Sequence, residues 1–153
     1  MDVAGSLSIV LMLYEVDMLD GRALAVWAFI MCCETAQAIL RTSFLEPLVG
    51  QAKAKDVGFF VGSLIVLGVT WLCIRWMRTT SMKQRLLIGA WWMALTAVFE
   101  VLIGLMQGFD WQHIINEYNP ERGGYMVFGM VILLLAPEAM WQVRSQNKGT
   151  SSQ

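Results

Sequence analysis

Two glutamates stand where a carboxylate is costly. Glu34 interrupts the apolar run AVWAFIMCCETAQAIL, and Glu100 closes the run WWMALTAVF. A charge at bilayer depth costs about 2.5 to 3.5 kcal/mol on insertion scales. Such an acid therefore faces a bundle interior, holds a proton, or pairs with a donor. In a helix Glu34, Gln37, Ala38 and Arg41 fall at i, i+3, i+4 and i+7 and share one face. Glu100, Gly104 and Gln107 make a comparable face. If the two stripes meet, they form a polar pocket. The candidate binding residues are Glu34, Gln37, Arg41, Glu100, Gln107 and His113, and the candidate catalytic pair is Glu34 and Glu100.

Three kinds of chemistry suit that set. The acids bind a proton or cation and exchange it for a small solute, in the ordinary role of intramembrane ionisable residues. They act as interhelical glue in a structural or accessory subunit of a membrane complex. Or they serve as an acid–base pair on a lipid, isoprenoid or quinone, with Arg41 holding Glu34 ionised while Glu100 stays protonated. The first reading is preferred, and enzymatic activity is left open.

The loop GFDWQHIINEYNPERGG, residues 108–124, carries the only histidine, His113. A short helix over residues 111–118 would put His113 and Glu117 on one face. Histidine and carboxylates are ingredients of an oxygen- and nitrogen-ligand metal site. The spacing matches neither H-E-x-x-H nor a span-borne Glu-x-x-His, so no metal and no cofactor is expected. Phosphate-binding loops, dinucleotide fingerprints and nucleophile elbows are absent as well. One histidine, outside the spans, excludes a bis-histidine haem in the bundle.

These residues need elements to position them. Charged residues make up 15% of the 153 and hydrophobic ones 57%, against about 25% charged in soluble domains. The deficit points to an integral membrane protein, with the lipid bilayer as its first partner. A net charge of −1 offers nothing to nucleic acid. Four apolar runs, at about residues 23–40, 57–74, 86–106 and 125–141, have the roughly 17 to 25 residues a spanning helix needs. The expected fold is an all-α integral membrane, four-helix transmembrane bundle of two hairpins, one domain over residues 1–145. A disordered cytoplasmic tail follows at 146–153. The stretch at residues 6–19 is too short to span before Glu15 and Asp17, so it reads as an amphipathic interfacial helix, with a tilted fifth span as the rival. The opening MDVAGS lacks the basic residues of a cleavable signal, so the first span is expected to direct insertion.

Asp20 and Ser81 are expected N-caps. Gly108 should stop the third span, and Gly123–Gly124 should open the fourth. Pro137 should kink the fourth span or end its regular part. Seven cations (Arg22, Arg75, Arg78, Lys83, Arg85, Arg144, Lys148) fall on one side and four (Arg41, Lys53, Lys55, Arg122) on the other. Both termini are therefore expected in the cytoplasm. Trp71, Trp76, Trp91, Trp92 and Trp141 read as anchors at the inner ends, with Phe44, Phe59, Phe109, Trp111, Tyr118 and Tyr125 at the outer ends. Cys32, Cys33 and Cys73 read as buried small hydrophobes, and Glu138 as an interfacial partner of Arg75 or Arg144. The pairs Gly58/Gly62 and Gly104/Gly108 have the spacing that lets membrane helices approach, in a tight bundle or a homo-oligomer.

A shift of 66 positions places Glu34 on Glu100, Gly58 on Gly124, Phe59 on Tyr125 and Arg41 on Gln107. The identities are few. The shared plan, an acid late in one span and a glycine leading the next, suggests a parallel repeat.

Overall fold

The structure, a computed structural model, describes residues 21–119 and 124–149, without the side chains of 113, 114 and 147–149. Asp20 and the segment 6–19 lie outside the described residues, as does the tail beyond 149. The described chain is helical: α1 (Gly21–Leu40), α2 (Glu46–Val49), α3 (Gln51–Cys73), α4 (Met82–Met106), α5 (Trp111–Glu117) and α6 (Met126–Gly149), with a π-helical stretch at Arg41–Leu45 joining α1 to α2. Four helical stretches are long and apolar enough to cross a membrane: Gly21–Val49, Gln51–Cys73, Met82–Met106 and Met126–Gln146. This is a multi-pass membrane protein built on a four-helix bundle.

Each long helix runs past its apolar run. The first continues through the π-helical stretch to Val49, because Arg41 to Leu45 widen the helix without breaking it and Pro47 sits near the start of α2, where its missing N–H costs little. The last begins at Met126 and runs through Pro137 to Gly149. Pro137 removes one backbone bond and leaves the helix standing. Its surroundings are buried and packed, and neighbouring helices sustain such interruptions.

The ends of α4 follow from local chemistry. The Ser81 hydroxyl accepts from the Gln84 N–H at 3.2 Å, and the Gln84 side-chain Oε1 accepts from the Thr80 N–H at 3.0 Å. That reciprocal pairing satisfies donors the first turn leaves open. At the other end Gly108 takes φ +80°. Its N–H donates to the Leu105 carbonyl and the Phe109 N–H to the Gly104 carbonyl, both at 3.0 Å, which is a Schellman stop. Gly108 is therefore exposed at a turn, and the Gly104/Gly108 pair is not a helix-approach motif.

Around the bundle α1 packs on α3, α3 on α6, α6 on α4, and α4 returns to α1. The closest approach is α4 to α6. A methyl group on Gly89 would run into the backbone carbonyl of Leu134. Large apolar side chains such as Phe29, Phe60, Leu64, Leu72 and Val98 point outward. In water that surface would aggregate, and in lipid it is solvated. Helical hydroxyls return to their own backbone: Thr70 donates to Val66, Ser63 to Phe59 and Thr35 to Met31.

Two expectations fail for the same reason. Cys32 is exposed on the bundle surface, and all three cysteines are free. A small apolar thiol suits lipid as well as it suits a core. Trp92 is fully buried, and its Nε1 donates to the Ala23 carbonyl at 2.9 Å. It is a core residue between α1 and α4, because its donor finds a partner inside. Trp27, beside it, donates to Thr96 Oγ1 at 3.0 Å and meets Phe99 edge-on.

The end of the bundle that holds residue 21 and the α3–α4 connection is closed by arginines. Arg22 lies over Trp76, Arg144 over Trp71 and Arg85 over Trp141, at 5.6, 4.7 and 4.0 Å. Arg144 also donates to the carbonyls of Trp71 and Leu72, in the last turn of α3, where a cation suits the helix dipole. Glu138 pairs with neither Arg75 nor Arg144. Its Oε2 accepts from Arg85 Nε at 2.6 Å and its Oε1 from Gln142 Nε2 at 2.8 Å. The pair is buried between α4 and α6, one turn from the close contact of Gly89 with Leu134.

Candidate functional site

The two stripes do meet. Glu34, Gln37, Ala38 and Arg41 of the first span and Glu100, Gly104 and Gln107 of α4 line one cavity of about 670 Å³. It runs from Met31, Val66 and Thr96 to the loop end of the bundle, where Gln51, Phe109, Glu117 and Tyr118 form its rim. The helix repeat places Glu34 and Gln37 on the side of α1 that faces α3.

The small residues of α3 make room for them. Ala54, Gly58, Gly62, Val66 and Thr70, four apart, form the buried stripe of α3. An added methyl on Gly62 would lie 2.7 Å from Glu34 Oε2, and one on Gly58 would strike the Arg41 side chain. Gln37 Nε2 donates to the Gly58 carbonyl at 3.3 Å. The Gly58/Gly62 pair thus seats the polar stripe of the first span, in addition to bringing two helices together.

Charge pairing differs from expectation. Among the described residues the salt bridges are Lys55–Glu117, at 2.8 Å, and Arg85–Glu138. Arg41 pairs with neither Glu34 nor Glu100. It opens the π-helical stretch, and its stem lies along Gly58. The asymmetry expected from an Arg41–Glu34 pair therefore has no ion pair behind it. Glu34 Oε1 is buried and has no hydrogen-bond partner among the described residues.

At the rim, α5 spans residues 111–117 and holds Glu117 against Lys55 of α3. The His113 side chain lies outside the described residues. Burial, and then the negative charge of Glu100, push the Tyr118 phenol above its ordinary value. Tyr118, expected from the sequence only as an outer-end anchor, therefore sits within electrostatic reach of the acid. The Tyr125 hydroxyl donates to Asp56 Oδ1 at 2.6 Å, and that bond holds the phenol above its ordinary value too. Tyr125 stacks on Phe59, ring centroids 5.1 Å apart. Lys55, Glu117, Tyr118 and Phe99 are lining residues that the two stripes did not include, brought to the cavity by tertiary packing, while Thr96 stands one turn before Glu100 on the same face of α4. Among the described residues no three His, Cys, Asp or Glu side chains gather as metal ligands would.

No protein-family model, curated protein sequence or solved structure matches the chain.

Proposed function

We propose that this protein is a small membrane transporter in which Glu34 and Glu100 bind a proton or another cation and exchange it for a small solute. One observation carries the reading. The single acid of α1 and the single acid of α4 line the same cavity, and neither is paired with a lysine or arginine among the described residues. A carboxylate placed in an apolar bundle without a cation partner has a use for a movable one.

In this reading both acids lie within the bilayer, the cavity opens on the non-cytoplasmic side, and both termini are cytoplasmic. The distribution of lysine and arginine supports that orientation. A parallel repeat is part of this reading. Glu34 and its counterpart Glu100 line one cavity, and Phe59 stacks on its counterpart Tyr125. Four spans are few for alternating access, so a second copy of the chain completes the pathway.

The test is proton flux into proteoliposomes of the purified chain, followed with an internal pH-sensitive dye under an imposed membrane potential. Glu34→Gln and Glu100→Gln should each slow flux by about tenfold or more, the factor that a loss of about 1.4 kcal/mol represents. Wild-type flux in the double variant would sink the proposal.

A further inference from the structure

We propose that the solute held in this cavity is an organic cation with an apolar body, of the amine, quaternary ammonium or phosphonium class. This rests on the transporter reading and adds the substrate class to it. Charge comes first. The cavity is lined by four carboxylates, Glu34, Glu46, Glu100 and Glu117, against the two cations Arg41 and Lys55. Lys55 is already held by Glu117. The excess is negative, and it lies at the deep end, where Glu34 Oε1 is buried with no partner.

Shape and surface follow. About 670 Å³ falls in the range of small-molecule pockets. It is far larger than a dehydrated inorganic ion, and the described residues gather no set of three ligands for one. The walls include Phe59, Phe99, Tyr118 and Tyr125 with Met31 and Leu133. Aromatic faces attract cations, most strongly away from water, and the aliphatic walls favour an apolar body. An anion would meet the carboxylates with repulsion.

The experiment compares two probes of one shape and opposite charge, tetraphenylphosphonium and tetraphenylborate, by equilibrium dialysis against the full chain in detergent. The wild type should bind the phosphonium at least about tenfold more tightly than the borate. Glu34→Gln and Glu100→Gln, checked for folding by size exclusion and circular dichroism, should each weaken phosphonium binding about tenfold. The wild-type contrast between probes requires no variant, so a variant that fails to fold leaves the test intact. Equal binding of both probes, or phosphonium binding unchanged in folded Gln variants, overturns the proposal. If the phosphonium does not bind while proton flux still depends on Glu34 and Glu100, the substrate class falls and the transporter reading stands. If flux is also indifferent to both acids, both fall.

Discussion

Glu138→Ala is expected to destabilise the folded bundle by about 3 to 5 kcal/mol, the cost of leaving one member of a buried ion pair alone. Arg85 is only 4% exposed, and Nε is its contact to Glu138. With the carboxylate gone, the guanidinium keeps its place over Trp141 but loses its counter-charge. One of its terminal nitrogens, Nη1, is already buried without a partner, so the site has little polar capacity in reserve. Arg85→Ala should cost a similar amount by stranding Glu138 with Gln142 alone. The double variant Arg85→Met/Glu138→Leu separates charge pairing from packing. It removes both charges and keeps volume, so it should lie near wild type or above it. Unfolding titrations in mixed micelles measure all three. A Glu138→Ala variant as stable as wild type would show that the pair contributes nothing.

Gly89→Val is the second large effect. The added atoms point at the backbone of Leu134, with the carbonyl oxygen as the first obstacle. Backbone cannot rotate aside as a side chain can, so α4 and α6 must separate. Overpacking of this kind costs about 1 to 3 kcal/mol and sometimes more. The upper end is expected, because the buried Arg85–Glu138 pair depends on the same two helices. Gly62→Ala offers the contrast. Its methyl meets the end of a flexible glutamate, so it should change stability much less while altering the cavity. The same titrations check both, and equal losses at Gly89 and Gly62 would contradict this assignment.

The four spans and the two polar stripes were legible in the sequence because each rests on one helix. Length and hydropathy define a span, and the 3.6-residue repeat puts Glu34 and Gln37 on one side. What lay beyond reach was pairing between helices. Arg85 and Glu138 are 53 positions apart, and nothing local tells Glu138 to prefer Arg85 over Arg75 or Arg144. The fate of Arg41 was hidden for a different reason. The helix widens at that residue, and the stem follows Gly58 instead of an acid. Trp92 shows how composition misleads in a membrane protein. Tryptophan suits an interface, yet it suits a core equally once Ala23 supplies an acceptor. Tyr118 and Phe99 reached the cavity through the docking of α5 and the packing of α1 on α4, which no short stretch encodes.

Glu34 and Glu100 line one cavity, and crosslinking measures that placement directly. A chain with Cys32, Cys33 and Cys73 replaced by alanine, and with Glu34→Cys and Glu100→Cys, tests it with a short, water-soluble bifunctional thiol reagent and intact-mass analysis. The expected product is one reagent bridging both thiols within a single chain. Two separate adducts on each chain, or no reaction at either position, would contradict that placement.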